Sequence, residues 1–402
     1  MAGVFDIFTV KLRLSLIPYM LTMQRLSFIF VLVFLFGCKS TSSLHSVKHI
    51  EELVKQVENN PEDIVSVIEK SQQSHKAIIR DAEQVKLALK ELKRVVESIW
   101  GKEDTELPSS KKYVKYSNDY RARAIVDFEN GSVTVETIAK KNPTDLLKQA
   151  ITLTLLTPAD PRNTDIFSSS APDLGEEPFL YRQVIDQDKQ AIRYQWRANR
   201  FADYLLKNNL INEPNKHKVT FSLVPQHQHL RQLQYSEFVI ASAQKYQIPA
   251  HLIYAVIETE SSFNPFAVSS ANAYGLMQVV PSTAGKDVYQ KIKNRSGQPT
   301  KQQLFSPETN IDIGTAYLHL LDTRYLASVN NKQSKTYTVI SAYNGGAGNV
   351  LKTFDANRDR AIRDINSLTS KSVYWALTHK HPKQESRRYL EKVAQKQSKY
   401  QQ

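Results

Sequence analysis

The chain of 402 residues has a single cysteine, Cys38, which excludes an intrachain disulfide. The apolar run Leu26–Phe36 is too short to span a bilayer as a helix. There is no Gly-rich phosphate loop and no nucleophile elbow, which argues against nucleotide-dependent and serine-hydrolase chemistry. Internal repeats, low-complexity tracts and nucleic-acid motifs are also missing. The formal charge is +13, spread along the chain, so an anionic polymer or a membrane surface suits it better than nucleic acid. The ten histidines include the pairs His227/His229 and His379/His381. Pairs at i, i+2 with no neighbouring cysteine or acid read as solvated loop residues rather than metal ligands. Neither a cofactor nor a metal is expected.

What is present starts with a leader. Arg25 precedes the Leu26–Phe36 run, which ends at Cys38. Leu35-Phe36-Gly37-Cys38 resembles the bacterial lipobox, although Phe36 is bulkier than the residue usual there. That resemblance implies lipidation of Cys38, and Lys39 after it implies, by analogy, the outer membrane of a Gram-negative bacterium, facing the periplasm. Met23 opens a compact signal peptide of ordinary form, so residues 1–22 read as an upstream extension or, alternatively, as an unusually long n-region.

The length accommodates two domains. Residues 1–38 read as the signal and lipobox segment, 39–60 as a polar tether, 61–224 as an α+β accessory domain, and 225–402 as a mainly α domain. Within the third segment, Val85, Leu89, Leu92, Val96 and Ile99 recur at helical spacing, and packing on a following sheet is the expected use. Ala124–Phe128 and Val133–Val135 flank Asn130-Gly131, a two-residue hairpin turn signal. Thr144–Leu156 and Arg182–Lys207 read as helices, 157–178 as a loop, and Lys218–Val224 as a strand. Beyond 225 the pattern turns helical, and seven of the 12 glycines lie beyond residue 270. No catalytic constellation is visible before that point.

The most informative stretch is Glu260-Ser261-Ser262-Phe263-Asn264-Pro265, followed by Gly275-Leu276-Met277-Gln278. Leu252, Ile253, Val256, Ile257 and Glu260 share one helix face, so Glu260 continues an apolar stripe. Glu258 points to the opposite side, with His251 and Tyr254. A carboxyl on an apolar face has its charged form disfavoured and its pKa raised, as a glycosidase general acid requires. Glycosidases usually set a second carboxylate across the bond. Asp312 and Asp322 read instead as cap or surface charges, and no partner is evident.

These motifs, with Ala342-Tyr343-Asn344-Gly345-Gly346 and Glu385-Ser386-Arg387-Arg388-Tyr389-Leu390, occur in the order that the soluble lytic transglycosylase family has. The chain resembles that family, closest to a membrane-bound branch of it. The specific motifs lie within 231–402, and the likeness covers nearly the whole chain. It implies a goose-type lysozyme-like fold for 225–402 and an accessory domain before it. It implies cleavage of the β-1,4 bond between MurNAc and GlcNAc in peptidoglycan, with Glu260 as sole acid and base and the C6 hydroxyl of the muramic acid as nucleophile, giving 1,6-anhydro ends. Peptidoglycan strands are then the substrate, and the membrane is reached through the lipid anchor. Ser262 could hold the Glu260 carboxyl or cap the helix backbone. Gly275 supplies a backbone position closed to other residues. Gln278 suits a sugar N-acetyl group or a loop bond, and Met277 a sugar ring or the core. Tyr343 and Asn344 line the cleft by the resemblance, Glu385 has a hydrogen-bonding role, and Tyr389 orients the acid or the substrate. The alternatives are a hydrolytic muramidase on the same fold and a non-catalytic peptidoglycan-binding lipoprotein. Glu260 argues against the latter, since a binder needs no acid on an apolar face.

Overall fold

The computed structural model describes residues 87–401. Cys38, the leader, the tether and the start of the accessory segment lie outside them. A first helix, α1 (87–100), is followed by β1 (Lys112–Ser117), β2 (Ala122–Asp127) and β3 (Ser132–Thr137). Then come α2 (Pro143–Leu156), α3 (Gln195–Asn208), β4 (Leu210–Glu213) and β5 (Lys216–Ser222). The five strands form one antiparallel sheet in the order β1-β2-β3-β5-β4.

Both faces of this sheet are covered. On β2, Ala122, Ala124 and Val126 face the main core with Leu147, Ile151 and Leu155 of α2. On the other face, Val114 and Tyr116 of β1 pack with Leu92, Val96 and Trp100 of α1, so the helical stripe is used against the sheet. That two-sided burial follows from the strand period of two.

Three local expectations change. The β2–β3 connection is a four-residue loop, since Asp127 pairs with Ser132. The Asp127 carboxylate accepts from the backbone N–H of Glu129 and Asn130, at 3.0 and 2.9 Å. Only Gly131, at φ 68°, needs the left-handed region. The region 182–207 is helical only from Gln195. Asp186 captures the N–H groups of Asp188 and Gln190, and this turn competes with a helix there. The strand β1, ahead of the hairpin, carries no turn signal and was not expected.

The second half is mainly helical. Its helices are α4 (His227–Gln234), α5 (Ser236–Tyr246), α6 (Ala250–Ser261), α7 (Lys286–Lys291), α8 (Lys301–Phe305) and α9 (Pro307–Leu320). They continue with α10 (Lys332–Gly345), α11 (Ala347–Lys352), α12 (Arg358–Ser367), α13 (Ser370–His379) and α14 (Gln384–Lys399). The core runs without a break from the sheet into these helices. Tyr113 of β1 and Phe179 both pack on Phe266, with ring centroids 4.8 and 5.1 Å apart. Arg231 of α4, 1% exposed, donates to the Gln183 side chain and to the Phe128 carbonyl, each at 2.9 Å. His227 lies on α4, not in a solvated loop, and packs over Gly131, where a Cβ would come within 2.6 Å of its ring. Burial first, then the Arg231 charge, lower its pKa to about 4. His381 is fully buried.

Candidate active site

Helix α6 carries Glu260 one residue from its end. The helix is buried all round from Leu252 to Thr259, which a single apolar stripe does not reveal. It stops because Ser262 and Phe263 take left-handed conformations at φ 50° and 61°. For a residue as bulky as Phe263 this is a true outlier, and such strain concentrates at functional sites. Asn264 next fixes the chain: its side chain accepts from the Phe266 N–H and donates to the Ser110 carbonyl, at 3.0 and 3.1 Å.

The Gly275–Gln278 segment is a tight turn closed by the Tyr274–Val279 bridge. Gly275 sits at φ 69°, and a Cβ there would meet Asn310 and the Leu304 carbonyl at 2.5 Å, so the position requires glycine. Asn310, fully buried, donates to the Tyr274 carbonyl at 2.7 Å and accepts from the Met277 N–H at 2.8 Å. Ser261 donates to the Leu276 carbonyl and Tyr343 to the Met277 carbonyl, both at 2.8 Å. The turn is thus clamped by the residue beside Glu260 and by the end of α10. Ser261 and Asn310 were missed in the sequence, since no local pattern shows what a side chain does across the fold.

Glu260 opens into a cleft of about 420 Å³, lined also by Thr259, Asn344, Glu385, Arg388, Tyr389 and Lys392. Ser110 and Lys111, just ahead of β1, complete the lining, so the first half of the chain reaches the site. Burial, reinforced by the charge of Glu385, pushes the Glu260 pKa up to about 8 against the opposing pull of Tyr389 and Lys111. Tyr389 is 6% exposed, and its hydroxyl faces the Glu260 carboxyl. Its own pKa is held well above 10 by burial and by the Glu260 charge. The Asn344 amide donates to Glu385 at 3.3 Å and accepts from Ser386 at 2.6 Å, joining α10 to α14.

The structure therefore brings Glu260, Asn344, Glu385 and Tyr389 into one cleft, with Tyr343 close enough to feel the Glu260 charge. Others stand elsewhere. The Ser262 hydroxyl faces the Glu258 carbonyl at 3.5 Å, so it caps the helix backbone. Met277 is 0% exposed, with its sulfur against Thr315, and is core. The Gln278 amide donates to the Gly275 carbonyl at 3.0 Å.

Glu258 lies on the far side of α6 as expected, yet it is only 6% exposed. Lys396 and Lys399 pair with it at 3.4 and 3.3 Å, and the Tyr400 hydroxyl donates to it. Burial alone would raise its pKa, but these partners outweigh burial and lower it. Two glutamates two residues apart are thus driven in opposite directions. Asp312 is likewise no free surface charge: it binds Lys245 and the Tyr246 hydroxyl, at 2.6 and 2.8 Å, and ties α9 to α5.

A carboxyl whose pKa burial raises, at a clamped helix end that opens into a cleft, is what the general acid of a glycan-cleaving enzyme requires. Residues 78–234 match the family model described as "Membrane-bound lytic murein transglycosylase C, N-terminal domain", and residues 237–366 match "Transglycosylase SLT domain". The chain is 44% identical over 336 residues to the membrane-bound lytic murein transglycosylase C of Yersinia enterocolitica, covering 82% of this chain and 94% of that one. The counterpart in Yersinia pestis matches at the same identity and coverage. The 70 kDa soluble lytic transglycosylase of Escherichia coli is 28% identical over 44% of this chain and 25% of its own, with a TM-score of 0.33. The chain belongs to the membrane-bound lytic murein transglycosylase C family.

Proposed function

We propose that this protein degrades murein as a lytic transglycosylase in which Glu260 performs both proton transfers. Glu260 in its protonated form donates to the glycosidic oxygen between MurNAc and GlcNAc. The same carboxylate then accepts the proton of the muramoyl C6 hydroxyl as that oxygen attacks its own anomeric carbon. The products are a 1,6-anhydro-muramoyl end and a free GlcNAc end, and no water is consumed. One arrangement carries the reading: the Glu260 carboxyl lines the cleft beside Tyr389 and Glu385, and burial there raises its pKa so that it can donate a proton. Tyr389 faces that carboxyl and orients it, and Asn344, which lines the same cleft, holds the sugar.

The hydrolytic reading draws on Glu385, which lines the same cleft and would have to activate water. The Asn344 hydrogen bond to Glu385 favours a positioning role instead. Mass analysis of muropeptides from purified sacculi separates the two. Transglycosylation yields ends lighter by one water than hydrolysis does. Hydrolysed ends alone would overturn the proposal.

The proposed division of labour places the chemistry in 225–402 and support in 61–224. No described helix is long and apolar enough to cross a membrane. The relatives are named membrane-bound, and for this chain a lipid on Cys38 is the proposed attachment, to the outer membrane and facing the periplasm.

A further inference from the structure

The cleft beside Glu260 is bordered by more positive charge than its own acids engage. On α14, residues 385, 388, 389 and 392 follow helical spacing, and all four line the cleft. That face presents Arg388 and Lys392, both exposed. Among the described residues neither has a carboxylate partner, whereas Lys396 further along pairs with Glu258. Glu385 is engaged by Asn344. Lys111, on the sheet side, lines the same cleft and pairs with Glu129.

The glycan of murein is uncharged: its sugars carry hydroxyls and N-acetyl groups, and the muramoyl carboxyl is tied up as an amide. The anions of this polymer are the carboxylates of its peptide stems. A cationic wall in the same cleft as the bond-cleaving acid has no charged partner on the glycan of intact murein. We infer that Arg388 and Lys392 hold the stem carboxylates of a muramoyl residue bound beside Glu260, making the site selective for peptide-bearing strands. A guanidinium suits this task, because its fork binds a carboxylate through two hydrogen bonds. The inference rests on the proposed murein substrate.

The test measures binding, so that it stands apart from product chemistry. Full-length Glu260→Gln protein is titrated with soluble glycan strands carrying peptide stems, and with the same strands stripped by an amidase and with the muramoyl carboxylates so freed converted to simple amides. At low salt the peptide-bearing strands are expected to bind about tenfold more tightly, a size within reach of two partly exposed charge pairs. Adding Arg388→Gln and Lys392→Gln should reduce that ratio to near unity. Arg388→Lys with Lys392→Arg should retain most of it. Raising the ionic strength should narrow the ratio in the parent protein, a readout that needs no further variant. Equal affinities at low salt, or a preference that survives the double Gln substitution, overturn the inference. Failure of the transglycosylase reading shows separately, in the mass of the wild-type products.

Discussion

The Asn264 side chain donates to the Ser110 carbonyl at 3.1 Å, joining the segment after the acid to the sheet half of the chain. Arg231 and the Tyr113–Phe266 contact bind the same two halves. A fragment starting at residue 226 therefore loses the sheet side of its core and the Ser110–Lys111 side of its cleft. It is expected to be poorly folded and nearly inactive. Circular dichroism and thermal melting check this. A cooperative melt near that of the full chain would refute it.

Arg231→Ala tests the joint by a point change. It leaves the Phe128 carbonyl and the Gln183 side chain without their buried donor. The expected loss is about 2–4 kcal/mol, from buried polar groups left unpaired next to a vacated volume. Urea unfolding of the two proteins measures it, and a change under about 0.5 kcal/mol would contradict the role.

Glu260→Gln keeps the shape and removes the transferable proton. Turnover should fall by at least ~10²–10⁴-fold, the usual cost of losing one acid–base group, and here both transfers are lost. Binding to sacculi should persist. Release of anhydro-muropeptides near the wild-type rate would exclude Glu260 as the acid.

Glu258→Gln, in contrast, should act on stability. Its carboxylate pairs with Lys396 and Lys399, and the expected cost is about 1–3 kcal/mol, from hydrogen bonds to a charged group. The folded pKa is depressed, so this stabilisation is present above the ordinary carboxylate range and is lost as pH falls through the folded value. The wild type should lose more stability than the variant on acidification. Equal pH dependence of the two melting curves would remove Glu258 from this role.

The rate should also carry an alkaline limb. Glu260 must be protonated to donate, and its pKa is about 8, so activity should fall as pH rises through that value. Glu385 raises that pKa, so Glu385→Gln should move the limb to lower pH. Turnover abolished at every pH would instead mark Glu385 as a base, and an active variant whose limb stays in place would contradict its effect on Glu260.

Cys38→Ser tests the anchor. Several acyl chains give stable attachment where one does not, so the change should release protein from the membrane fraction or leave it unprocessed. Unchanged fractionation and mature size would dismiss the lipid.

The sequence alone placed Glu260 near the end of an apolar helix and Gly275 in a turn that needs glycine, and the order of its motifs grouped Tyr343, Asn344, Glu385 and Tyr389 with them as proposed site residues. Those features are local: helical period, a forbidden backbone conformation, and motifs in order. It also located the change from sheet to helices. Only the tertiary structure decided which faces of α6 were covered. Periodicity marks the more apolar face of a helix. It is silent on whether a charged face will meet Lys396, Lys399 and Tyr400 from the far end of the chain. The same holds for Ser110 and Lys111, which no nearby residue marks as part of a cleft, and for Asn310, which clamps a turn more than thirty residues upstream. Met277 followed the core rather than the site, because volume and neighbours decide the place of an unbranched apolar side chain. What remained hidden in the sequence was long-range pairing, which depends on the path of the chain through space.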